Sequence, residues 1–114
     1  MTIQYKNASV DLSTTNLTTT LTISLSAVAI VKSVYFSNSS TGSILCNASM
    51  RDSTATTDFE FFRDTVTAST QVNAAPQGIN LEAGDAITIQ AATGSNKIQG
   101  AISYAQIDRS QENG

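Results

Sequence analysis

Between Asn16 and Leu25, large apolar residues stand only at odd positions, and threonine or serine fills positions 18, 20, 22 and 24. Alternation with a period of two predicts a β-strand with one buried face, because successive strand side chains point to opposite sides of a sheet. A helix would need apolar spacings of three and four, and β-branched threonine disfavours it. We therefore expect a strand whose buried face carries Leu17, Leu21, Ile23 and Leu25.

The same alternation recurs along the rest of the chain, interrupted by short polar turns. In the first of these segments, Val28, Ile30, Val34 and Phe36 share one face, and Val31 and Tyr35 lie on the other. The apolar faces of the next three are Ile44, Cys46, Ala48 and Met50; Ile79 and Leu81; and Ile87, Ile89 and Ala91. In the last, the apolar face is Ile98, Gly100, Ile102 and Tyr104, and Ala105 and Ile107 are out of phase with it. Phe62 breaks the phase set by Phe59 and Phe61, which indicates a β-bulge. Gly84, in the turn 82–85, is expected to take a positive φ.

Seven or eight short strands, with turns about every 8–12 residues, predict a single all-β domain. The expected fold is an antiparallel β-sandwich, either a jelly roll or immunoglobulin-like. Sixteen threonines and fifteen serines among 114 residues fit this class, since threonine suits a half-exposed pleated surface. We expect residues 16–108 to form the sandwich, residues 1–15 an N-terminal arm or edge strand, and residues 109–114 a polar tail.

The chain has no histidine and one cysteine, so it lacks the commonest general base and the ligands of a zinc site. Cys46 lies on an alternating apolar face, which predicts a small buried hydrophobe rather than a nucleophile. The candidates for a catalytic carboxylate pair follow patterns typical of a solvated strand face or a tight turn: Asp58, Glu60, Asp64, Glu82 and Asp85. We expect no enzymatic activity, and no catalytic, cofactor-binding or metal-binding residues.

Six basic residues are scattered among nine acidic ones, for a net charge of −3. Binding to a phosphate backbone requires clustered lysine and arginine, so nucleic acid is not an expected partner. No apolar run approaches about 18 residues, so a membrane is not expected either. Residues 1–10 lack the apolar core of a signal peptide, and a single cysteine forms no internal disulfide, which together favour assembly in a reducing cytoplasm.

From Ala29 onward, the chain resembles small virion structural proteins of tailed bacteriophages. Three segments carry the resemblance: AIVKSVYFSN at 29–38, INLEAGDAI at 79–87, and the strand from 98 to 107. The resemblance implies a β-sandwich without an active site that is attached to the particle, as a capsid decoration or cement protein. The implied partners are the major capsid protein or other virion proteins, and the implied form is a homo-oligomer on the virion, assembled in the host cytoplasm.

Two other functions remain open from the sequence: a tail-associated or host-adhesion module, and a free carbohydrate-binding β-sandwich module. In either virion role, an N-terminal arm is a common docking element. Ile3, Tyr5, Val10 and Leu12 are predicted to be its partner-binding residues, spaced among polar residues too sparsely to form a core alone. Such a segment can add as a strand to an exposed sheet edge. On this interpretation, residues 1–13 are dispensable for folding.

Overall fold

The computed structural model of the protein describes residues 2–12, 15–92 and 97–108. The regular elements in these ranges are nine strands: β1 (Thr2–Asp11), β2 (Thr18–Thr22), β3 (Ala27–Asn38), β4 (Ile44–Asp52), β5 (Thr57–Val66), β6 (Gln71–Asn73), β7 (Ile79–Leu81), β8 (Ala86–Ala91) and β9 (Ile98–Asp108). The predicted all-β class is confirmed. None of the described residues belongs to a helix long and apolar enough to cross a membrane.

The two halves of the chain pair in reverse order, like a long hairpin rolled around a core. β1 pairs with β9, β2 with β8, β3 with both β6 and β7, and β4 with β5, all antiparallel. Further pairings of β3 with β9 and of β4 with β8 give sheets ordered β1-β9-β3-β6, where β7 also pairs with β3, and β2-β8-β4-β5. Of the two predicted forms of sandwich, this topology is the jelly roll.

β6 and β7 lie along different parts of β3, so the nine strands fill eight strand positions. The core lies between the inner faces of the two sheets. The predicted apolar faces of β4, β8 and β9 are confirmed, with every residue buried except the half-buried Met50. Phe36 of the five-stranded sheet stacks on Phe62 of the four-stranded sheet, with ring centroids 5.6 Å apart. This aromatic contact joins the two layers.

β5 contains a bulge at the place where Phe62 interrupts the alternation of Phe59 and Phe61. Glu60 pairs with Ser49 and Phe62 pairs with its neighbour Ala48, which leaves Phe61 as the extra residue. The predicted bulge is therefore confirmed. It turns Phe62 towards the core, where it meets Phe36.

A second bulge, in β3, was not predicted from the sequence. The register shifts between Val31 and Ser33, so the inward-facing residues before and after the bulge differ in parity. Val31 is fully buried, whereas Ile30 is 46% exposed and Val28 is half-buried. The sequence predicted that Val28 and Ile30 lie on the same buried face as Val34 and Phe36. This prediction is wrong, because it assumed an unbroken alternation along the strand.

β2 is shorter than the alternating segment that predicted it. Leu21 and Ile23 are buried as expected, but Leu17 is 47% and Leu25 is 87% exposed, so their predicted burial is wrong. Leu17 precedes the strand, and Leu25 lies in the turn that leads into β3. Neither side chain is therefore held against the opposite sheet.

The N-terminal segment is an edge strand in its described part. β1 pairs with β9 over its whole length, and the backbone N–H of Leu12 donates to Ile98 O at 3.0 Å. Leu12 itself is 1% exposed. Removal of residues 1–13 would uncover β9 and delete a core side chain, so we expect it to destabilise the fold, contrary to the expectation from the sequence. The predicted polar tail, residues 109–114, lies outside the described residues.

The turn between β7 and β8 is fixed by a buried carboxylate. Gly84 has the predicted positive φ, at 85°. Asp85 Oδ2 accepts a hydrogen bond from Glu82 N at 3.0 Å, while Oδ1 accepts from Ser53 N at 3.1 Å and from Ser53 Oγ at 3.2 Å. Asp85 therefore anchors this turn to the loop between β4 and β5.

Candidate functional site

The outer face of the five-stranded sheet has an apolar end and a polar end. Cross-strand pairing places its side chains in rows that run over β1, β9 and β3. The apolar end consists of the rows Ile3–Ile107–Val28 and Tyr5–Ala105–Ile30, and the polar end of the rows Ser9–Ala101–Tyr35 and Asp11–Gln99–Ser37. Residues about a hundred positions apart in the chain thus share one surface.

We call the six residues of the two apolar rows the outer strip. Ile3, Tyr5 and Ile30 are 52%, 76% and 46% exposed, and Ala105 is covered between its neighbours. Lys32 Nζ lies 5.1 Å from the centroid of the Tyr5 ring, a cation–π contact that links β1 to β3. The outer strip is therefore an apolar surface across three strands, exposed to solvent mainly at Ile3, Tyr5 and Ile30, and exposed apolar surfaces of this kind mark interaction sites.

The structure separates the four predicted partner-binding residues into two pairs. Ile3 and Tyr5 lie in the outer strip. Val10 is half-buried against the core, and Leu12 is fully buried within it. The prediction that Val10 and Leu12 contact a partner does not agree with this arrangement, because alternate residues of one strand face opposite sides of the sheet.

The polar end of the same face forms a shallow depression of about 550 Å³. We call it the polar depression. Its lining extends onto β6 through the pairing of Ser37 with Gln71, and it comprises Ser9, Val10, Asp11, Tyr35, Ser37, Gln71, Gln99, Gly100 and Ala101. No local sequence pattern indicates this site, because four strands contribute to it.

Three of the candidate catalytic carboxylates are engaged, Asp58 and Glu60 in ion pairs and Asp85 in the turn described above. Arg63 donates to both oxygens of Glu60, at 2.6 Å and 2.9 Å, and this contact raises the pKa of the Arg63 guanidinium. Asp58 Oδ2 lies 3.7 Å from Arg51 Nη1. Within residues 2–12, 15–92 and 97–108, no group of three or more His, Cys, Asp or Glu is placed to hold a metal ion.

Cys46 lies on the inner face of β4 and is 1% exposed. Its Sγ is 3.7 Å from Ile44 O, and burial raises the pKa of the thiol to about 11. The thiol is therefore protonated at neutral pH, and thiolate, not thiol, is the nucleophile. The prediction that Cys46 is a small buried hydrophobe is confirmed.

This raised pKa predicts a specific pH dependence of stability. Between about pH 9 and 11 the thiol ionises in the unfolded chain but not in the folded one, so the free energy of unfolding falls as the pH rises. Urea unfolding of the wild type and of Cys46→Ala across this range isolates the contribution of Cys46, since other titrating groups are common to both proteins. The difference in free energy of unfolding between the wild type and Cys46→Ala should be constant below pH 9 and become smaller above it. A difference that stays constant up to pH 11 contradicts the raised pKa.

Comparison with known proteins identifies shared architecture. No family model and no curated protein matches the sequence. The core of Drosophila NLP, described in connection with pentamer formation and histone binding, matches 92% of this chain and 99% of its own, at a TM-score of 0.54 and 9% identity. The Bacillus endospore appendages, described as disulfide-linked pili, match 92% of this chain and 86% of their own, at 0.50 and 14%. At such low identities these similarities show the fold alone.

Proposed function

We propose that the protein is a non-enzymatic structural protein of a virion, a capsid decoration or cement protein of a tailed bacteriophage. The observation that carries the proposal is the outer strip. A protein that coats a particle attaches through a surface that its own folding leaves uncovered, and Ile3, Tyr5 and Ile30 form such a surface. Its partner would be the major capsid protein or another virion protein.

The position of the outer strip at a sheet edge supports attachment. β1 is an edge strand of the five-stranded sheet, and Ile3 and Tyr5 lie on it. The free side of an edge strand carries main-chain groups that can pair with a strand of a partner. A partner strand added beside β1 would therefore extend the sheet directly next to the apolar rows. Main-chain pairing would supply affinity, and the side chains of the strip would supply register.

The remaining surface suits a protein that is present in many copies. Among the described residues, the other exposed large apolar side chains come from five separate segments: Leu17, Leu25, Tyr35, Leu45 and Phe59. The hydroxyl-rich composition keeps the rest of the surface polar with few charges. Scattered single apolar residues are normal on soluble proteins and do not promote association in the way that a continuous strip does.

The resemblance of three segments to phage virion proteins supplies the class of partner. The fold is compatible with this role, since the two structures named above are described in connection with pentamer formation and with pili, which are both assemblies of more than one subunit. The similarity to those structures concerns the fold and identifies no shared partner. The choice of a virion therefore depends on the sequence resemblance, and the choice of surface depends on the outer strip.

A second candidate, a tail-associated or host-adhesion module, is supported by the polar depression. That site lies on the same face as the outer strip but at its other end, so attachment would leave it open. A free carbohydrate-binding module would use the same depression without attachment to a particle. The three functions therefore differ in whether the protein is found on particles and in how many copies.

Quantitative mass spectrometry of purified particles tests the proposal. A decoration protein should be present in a copy number comparable to that of the major capsid protein, because a symmetric shell repeats each attachment site. A copy number comparable to that of tail proteins would favour the second candidate instead. Absence of the protein from purified particles would contradict both virion functions.

A further inference from the structure

We propose that the polar depression binds a neutral saccharide. This inference concerns a site separate from the outer strip, so it goes beyond the attachment role. It follows from three properties of the described residues that line it: unengaged polar side chains, one exposed aromatic ring beside a small residue, and the absence of basic groups.

The polar side chains form a row with free hydrogen-bonding capacity. Asp11, Gln99, Ser37 and Gln71 lie side by side across β1, β9, β3 and β6. Within the part of the chain that the structure describes, none of these four side chains makes a hydrogen bond, and the same holds for Ser9. Amides and hydroxyls both donate and accept, as sugar hydroxyls do. The row therefore matches a ligand that carries several adjacent hydroxyl groups.

Tyr35 supplies an apolar surface next to this row. Its side chain is 43% exposed, and its cross-strand neighbour on β9 is Ala101, whose methyl group leaves space beside the ring. A pyranose has an apolar face of C–H groups as well as a polar rim. Stacking of that face on the ring would leave the sugar hydroxyls directed at the neighbouring amides.

The charges of the residues that line the depression indicate which class of polar ligand it can bind. Among the described residues of the lining, Asp11 is the only carboxylate, and none is a lysine or arginine. Phosphate, sulfate and uronate ligands would meet a like charge with no cation to bind them. A mainly apolar ligand would desolvate the amides without replacing their hydrogen bonds. A neutral saccharide has no charge for Asp11 to repel, and its hydroxyl groups can replace the hydrogen bonds that the amides make with water. The volume of about 550 Å³ is within the usual range for small-ligand sites.

An NMR titration of the full ¹⁵N-labelled chain tests the proposal. The probes are the methyl glycosides of glucose, galactose, mannose and N-acetylglucosamine, with glucuronic acid as the anionic comparison. We expect at least one neutral glycoside to shift the amide signals of residues 9–11, 35–37, 71 and 99–101, with a dissociation constant of roughly 1 mM for so open a site. Glucuronic acid should bind more weakly. Absence of localised shifts with all four glycosides, or equal binding of glucuronic acid, would overturn the proposal.

Substitutions in the depression separate specific binding from chance contact. Tyr35→Ala and Gln99→Ala should each lose about tenfold in affinity, the effect of one lost stacking or hydrogen-bonding contact. Tyr35→Phe, which keeps the ring, should stay within about twofold of the wild type. Leu45→Ala, on the outer face of the other sheet, is the matched control and should bind normally. Binding that survives both Tyr35→Ala and Gln99→Ala would place the ligand elsewhere and refute the site.

The two proposals fail independently. If the depression binds saccharide and the outer strip attaches the protein, Tyr35→Ala should lose sugar binding and keep particle attachment. Loss of attachment in folded Tyr35→Ala would contradict the separation of the two sites. Normal sugar binding by a protein that is absent from particles would refute the virion role and leave the saccharide site standing.

Discussion

Replacement of Asn38 by alanine is expected to destabilise the fold by about 3 kcal/mol, among the largest effects of any single substitution that we predict. Asn38 ends β3 and is 2% exposed. Its Nδ2 donates to Gly42 O and to Val66 O, both at 2.9 Å, and its Oδ1 accepts from Ser40 N at 2.9 Å and Ser40 Oγ at 2.7 Å. One amide thus joins the end of β3, the following turn and the end of β5.

The cost arises because alanine removes the partner and leaves the other groups buried. The hydrogen bond to Val66 O is fully buried, so that carbonyl would lose its side-chain donor where water cannot easily replace it. Asn47→Ala is the matched control, since Asn47 is half-buried on β4 and its side chain makes no hydrogen bond within the described residues. Urea unfolding of both variants measures the difference. An Asn38→Ala protein within about 0.5 kcal/mol of Asn47→Ala would contradict this role for Asn38.

Strands with uninterrupted alternation could be predicted from the sequence down to the buried face. In β4, β8 and the first part of β9, the apolar residues alternate without a break, and the predicted inner residues lie in the core apart from the half-buried Met50. The bulge in β5 could also be predicted, because an extra phenylalanine makes the change of phase visible. Apolar and β-branched residues occupy both faces of β3, so a shift at Val31–Ser33 leaves no visible mark in the pattern.

The end of β2 shows a different limit. Leu25 continues the alternation of Leu21 and Ile23, but it lies in a turn, and its side chain is 87% exposed. A periodic pattern predicts which side of a strand a residue would face. It does not predict whether the opposite sheet extends far enough to cover that residue, since this depends on tertiary structure.

The candidate site could be predicted only in part for the same reason. Ile3 and Tyr5 are at odd positions and Val10 and Leu12 at even ones, so a continuous strand must place the two pairs on opposite faces. This parity was available in the sequence, but the prediction assigned all four residues to one partner-binding set. The rest of the outer strip comes from β3 and β9, and the pairing of Tyr5 with Ala105 depends on the register of strands at opposite ends of the chain.

Tyr5→Asp is expected to abolish attachment to the particle while leaving the fold intact. Tyr5 is 76% exposed, so an aspartate at this position remains solvated in the free protein. In an interface the same carboxylate would lose its hydration against apolar groups, a cost of several kcal/mol that pairing with the nearby Lys32 would offset only in part. A loss of about 100-fold or more in affinity corresponds to about 3 kcal/mol. Ile30→Asp, at the other end of the same row, should have the same effect.

A matched control distinguishes a specific surface from a general effect of added charge. Leu45→Asp introduces the same group at a side chain that is 41% exposed on the outer face of the four-stranded sheet. The thermal unfolding midpoints of Tyr5→Asp, Ile30→Asp and Leu45→Asp, compared with that of the wild type, show whether each protein is folded. We expect Leu45→Asp to attach normally, because β4 contributes nothing to the outer strip.

The most direct test of the virion role is co-sedimentation of the purified protein with phage particles that lack it. Our account predicts that the wild type and Leu45→Asp saturate such particles, and that folded Tyr5→Asp and Ile30→Asp remain in the supernatant. Full occupancy by the two strip variants would contradict attachment through the outer strip. Failure of the wild type itself to bind would contradict the proposed function.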